Sequence, residues 1–65
     1  MLYILVFDLF GSIVQRIPIE DTLACKIVAK IMLNRCNESN KKSSSLQSVT
    51  IHNEAGKDVW QEVMG

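Results

Sequence analysis

Residues 2–10, Leu-Tyr-Ile-Leu-Val-Phe-Asp-Leu-Phe, constrain this chain more than any other stretch. β-branched and aromatic side chains favour an extended strand. Leu2, Ile4, Val6 and Phe10 fall on one side of that strand. Tyr3, Leu5, Phe7 and Leu9 fall on the other. A strand apolar on both sides is one that is covered on both sides. The cover must come from 65 residues, 48% of them hydrophobic. A domain this small buries only about 60% of its unfolded surface and is marginal alone. It therefore needs a staple or a second subunit.

The rest of the chain reads as a single domain around that strand. Gly11-Ser12 has the chemistry of a two-residue turn, and residues 13–19 return as a second strand, closing a hairpin over 2–20. Pro18 has no N–H for a ladder, which places the return strand at an edge. Asp21 or Thr22 then caps a helix over 22–36. Lys26, Lys30 and Asn34 form its narrow polar stripe, and almost everything else on it is apolar. Residues 37–45 read as a polar loop. Residues 46–52 alternate and read as a half-buried strand, and Asn53-Glu54-Ala55-Gly56 as a turn. Residues 57–64 fit a strand, or a short helix with Val59, Trp60, Val63 and Met64 clustered. The preceding turn favours the strand and a second hairpin over 46–64. The expected fold class is α+β: a small antiparallel sheet of two hairpins with one helix packed on a face (ββαββ).

Charge and cysteine content narrow the function classes. Seven bases balance seven acids, so nothing pulls the whole chain toward phosphates. Zero net charge also offers little resistance to association. Cys25 and Cys36 are too few for a disulfide framework. On one helix, a rise of about 1.5 Å per residue holds them roughly 16 Å apart, so free thiols in a reducing cytoplasm are expected. The apolar N-terminus lacks a basic leader, holds Asp8 and is too short for a membrane span. A soluble, cytoplasmic protein is the expectation.

Two resemblances follow from particular residues. Ile4-Leu-Val-Phe-Asp-Leu-Phe-Gly-Ser12 resembles the first motif of the haloacid dehalogenase superfamily, a hydrophobic strand ending in Asp with Gly-Thr or a close variant shortly after. The resemblance implies Asp8 as a nucleophile. It covers nine of 65 positions. Phe10 stands where phosphatase members carry a second Asp, and Ser12 replaces Thr. A nucleophile also needs activating partners, and the chain supplies no obvious set. Asp8 then reads as an acid beside a turn, facing Arg16 across the strands. The N-terminal hairpin, Asp21-Thr22 at the helix start, Cys25 and the late strands together resemble very small phage and prophage accessory proteins. These include anti-CRISPR and other inhibitors of host defence, and the resemblance implies action by occupying a surface of a larger host protein complex.

The apolar excess points the same way, because large exposed apolar patches mark association sites. The expectation is a non-enzymatic protein-binding accessory or inhibitor protein, working as a homodimer, with no cofactor and no metal. Tyr3, Phe10, Met32, Trp60 and Met64 are the candidate interface anchors, with Asp58 and Glu62, and with Asp8, Arg16 and Glu54, at the rim. The alternative is a small nucleic-acid-binding module using Lys26 and Lys30, extended by Arg35, Lys41 and Lys42. His52 is the single histidine, on the solvent face of its strand.

Overall fold

The computed structural model describes residues 1–42 and 46–65. The chain runs β1 (Leu2–Phe7), β2 (Ile13–Ile19), α1 (Thr22–Lys42), β3 (Ser48–His52) and α2 (Trp60–Met64). The three strands form one antiparallel sheet in the order β2-β1-β3. The two-sided apolar strand is therefore the central one. This sheet has three strands and not the expected four, so ββαββ is corrected to ββαβα.

One face of the sheet makes the core. Ile4 pairs with Ile17 and with Ile51 across the two ladders. Ile4, Val6 and Ile51 pack against Cys25, Ala29, Met32 and Cys36 of α1. Those four helical residues recur at spacings of four, three and four, which is one stripe of a helix. Asp21 starts the helix: its Oδ2 accepts the Ala24 N–H at 2.9 Å, as an N-cap side chain does.

Several boundaries differ from the sequence reading, and β3 begins at Ser48 and not at Leu46. β1 stops at Phe7, because Asp8 turns the chain. Asp8 Oδ1 accepts the N–H groups of Phe10 and Ser12, each at 2.9 Å. The turn thus spans Asp8–Ser12, with Gly11 at φ 80°, and is wider than Gly11-Ser12. Pairing also slips between Val6, which faces Gln15, and Phe7, which faces Ile13. Val14 is the extra residue of that bulge.

The helix runs six residues past its expected end at Cys36, to Lys42. Asn37–Lys42 is thus helix and not the start of a loop, while residues 43–45 of the expected loop lie outside the described residues. Asn40 holds this last turn. Its Nδ2 donates to Gln47 O at 2.9 Å, and its Oδ1 accepts the Gln47 N–H at 2.7 Å. Lys41 and Lys42 complement the negative end of the helix dipole.

Residues 57–64 do not form a strand. The Asn53–Gly56 turn does send the chain back along β3, where Val59 N–H donates to Ile51 O at 2.8 Å. The return lasts for one bridge, His52 with Asp58. Asp58 Oδ1 then accepts the Trp60 N–H at 2.9 Å, a local bond that competes with extended backbone. The chain winds into α2, and Trp60, Val63 and Met64 lean on the core.

The second face of β1 carries no layer among the described residues. Leu5 is nevertheless only 6% exposed. Its neighbours on that face shield it: Tyr3 and Phe7 along the strand, with Arg16 and Thr50 across it. The Arg16 guanidinium lies 4.3 Å from the centre of the Tyr3 ring, in cation–π geometry.

Candidate functional site

The sequence-selected anchors scatter over the molecule. Met32 faces the sheet and is buried, so it offers nothing to a partner. Trp60 and Met64 are half-buried against the core. Tyr3 lies beneath Arg16 on the open sheet face. Phe10 alone is fully presented, at 87% exposure. Asp58, Trp60 and Glu62 do come together, in an open groove beside β3 with Leu33, Val49 and Gln61. The Trp60 amide, and then the Thr50 hydroxyl, hold Asp58 below its ordinary value, with the nearby His52 helping. Thr50 Oγ1 is shut off from water without a well-formed hydrogen bond, so the Trp60 N–H, at 2.9 Å, is the hydrogen bond that holds the carboxylate. Glu54 is also held low, by the hydrogen bond and charge of the Met1 ammonium at 2.6 Å.

Asp8 serves the turn. Its Oδ1 is occupied by two amides, and Arg16 is stacked on Tyr3 and not paired with it. The segment that resembles a dehalogenase motif sits in an antiparallel sheet, and no parallel strand pair occurs among the described residues. Among the described residues, no three His, Cys, Asp or Glu side chains gather as a metal site would require. Cys25 and Cys36 are free and buried, and burial raises both thiols above their ordinary value. That leaves them in the inert protonated form.

Two exposed apolar surfaces emerge instead. The first is the hairpin end, where Leu9, Phe10, Ile13 and Val14 are each more than half exposed. Residues 9–15 carry no charge at all. The second lies on the outer side of α1. Leu23, Ile27 and Ile31 recur every four residues and are between 48% and 66% exposed. Lys26, Lys30 and Asn34 form the parallel row beside them, all exposed. At 3.6 residues per turn, Arg35 and Lys42 fall on the opposite flank from Lys26 and Lys30.

Apart from Phe10, the exposed apolar residues of these two surfaces were not singled out from sequence. The signal was present in α1, since an apolar ladder beside the lysine row lies opposite Ala29 and Met32 on a helical projection. A helix apolar on most sides obscured which row would face the sheet. No helix among the described residues is long and apolar enough to cross a membrane. No family model matches this chain, and neither a curated protein nor a solved structure matches it.

Proposed function

We propose that this chain is a non-enzymatic protein-binding module, an accessory or inhibitor protein that works as a homodimer and occupies a surface of a larger protein. The observation that carries this reading is the apolar hairpin end, Leu9-Phe10 with Ile13-Val14. Exposing such a cluster is costly unless something covers it.

The hairpin end suits a second copy. Its uncharged residues 9–15 bring no like charges together when the same patch meets itself across a two-fold axis. Pairing along the outer edge of β2 suits it less, because Pro18 and the Val14 bulge are both devices that blunt an edge. The resemblance to small phage accessory proteins supports the inhibitor role. It now rests on the N-terminal hairpin, Asp21-Thr22 and Cys25, since the late strands of that layout reduce to β3. Nucleic-acid binding is less well supported, because the apolar ridge of α1 separates Lys26 and Lys30 from Arg35 and Lys42, and Lys41 is paired with Glu38 at 3.5 Å.

Light scattering across a concentration series tests the reading. The wild-type chain is expected to dimerise, and Phe10→Ser to shift the dissociation constant by about tenfold or more. A monomer at all concentrations overturns the homodimer. Phosphatase turnover abolished by Asp8→Asn would overturn the non-enzymatic reading.

A further inference from the structure

We propose that the ridge Leu23-Ile27-Ile31 of α1 is the docking site for an acidic amphipathic helix of the partner protein. The proposal rests on the protein-binding reading above and supplies the chemistry of the partner.

The shape of the ridge specifies a helix. Residues spaced by four form one of the two kinds of ridge by which helices interlock. Leu23, Ile27 and Ile31 span about 12 Å at 1.5 Å per residue. The opposite stripe, Cys25, Ala29, Met32 and Cys36, is already committed to the sheet. The helix is thus rigidly held with its second apolar row facing outward. Two of the three ridge residues are isoleucines, whose branched side chains lose little freedom on docking.

The charge around the ridge specifies an acidic occupant. Residues 22–37 contain Lys26, Lys30 and Arg35 and no acid. The chain is neutral overall, so this is a local excess on one element. Among the described residues, none of the three has a carboxylate partner; the ion pairs are Met1 with Glu54 and Lys41 with Glu38. Lys26 and Lys30 border the ridge on one side and Arg35 on the other. A partner helix with Asp or Glu beside its own apolar stripe meets both the ridge and its rim.

The same count argues against a second copy at this face. Along the whole of α1, Glu38 is the single carboxylate against Lys26, Lys30, Arg35, Lys41 and Lys42, and Lys41 already pairs with it, so two α1 helices laid together bring an excess of like charge. A bilayer fits less well too. Helices that lie in membrane interfaces present a broad apolar face with large anchors, whereas this ridge is one row wide and has no aromatic residue.

The test is an NMR titration of the full chain with two synthetic helical peptides. One has a leucine stripe bordered by glutamates, and the other has the same stripe bordered by lysines. The glutamate peptide is expected to shift the amides of Leu23, Lys26, Ile27, Lys30 and Ile31 selectively. Ile27→Ser, or Lys26→Glu with Lys30→Glu, is expected to weaken it by about tenfold. The double charge reversal is also expected to gain affinity for the lysine peptide, a readout that misfolding cannot imitate. Equal binding of both peptides, or no shift along α1, overturns the proposal. So does a dimer that Ile27→Ser dissociates, or sedimentation with phosphatidylserine vesicles that Lys26→Glu with Lys30→Glu abolishes. Shifts confined to Leu9–Val14 overturn the ridge while leaving the protein-binding reading in place.

Discussion

Asp8 and Asp58 do the same work at opposite ends of the molecule. Each ends an extended segment by turning a carboxylate onto the amide two residues ahead, Phe10 in one case and Trp60 in the other. A short acidic side chain can bond its own backbone in this way and so competes with a strand. Asp58 carries a pH signature. The Trp60 amide and the Thr50 hydroxyl lower its folded-state value, so the folded chain binds the proton more weakly than the unfolded chain. Its contribution to stability is complete above the usual carboxylate range and is lost as pH falls through the lowered value. The midpoint of thermal unfolding is therefore expected to drop as pH falls below the usual carboxylate range. Asp58→Asn is expected to flatten part of that drop, and a pH profile unchanged by the substitution would count against this role.

At the scale of elements, α1 is longer than the sheet it covers. Its 21 residues span about 32 Å, against roughly 20 Å for the six residues of β1. Burial on the helix ends at Cys36, so Asn37–Lys42 runs on beyond the core. This overhang is the part sequence misread as loop, because polar residues with no apolar period look the same in either state. Its tether is tertiary: the paired bonds between Asn40 and Gln47. Asn40→Ala is expected to cost about 1–2 kcal/mol and to fray the last turns of the helix. Amide exchange at residues 37–42 should accelerate while exchange at Cys25–Met32 stays slow. Uniform acceleration along α1 would show that the overhang is not a separate unit.

The whole molecule is a single sheet with one covered face, 32 × 20 × 17 Å overall. The open face of the sheet is less of a liability than its composition suggests, since Leu5 is shielded by its own neighbours. The exposed apolar surface lies elsewhere, at the hairpin end and on the back of α1. If the hairpin ends pair, folding and association are linked, because a second copy binds the folded chain and not the unfolded one. The melting temperature should then rise with protein concentration, and Phe10→Ser should remove that rise. A melting temperature independent of concentration would separate folding from dimerisation.

Local residues alone determined much of this protein. The apolar first strand, the return strand at Ile13–Ile19, a cap at Asp21 or Thr22 and the Asn53–Gly56 turn were all legible. Each depends on side-chain chemistry within a few positions. So does the apolar excess, which follows from composition in a short chain. Tertiary structure decided the rest. Which row of an almost wholly apolar helix faces the sheet depends on the sheet, and that choice left Leu23, Ile27 and Ile31 outside. The same holds for residues 57–64, whose apolar pattern fits a strand or a helix. Asp58 diverts the backbone after a single bridge, and the core then takes Val63 and Met64 from one side of a helical turn.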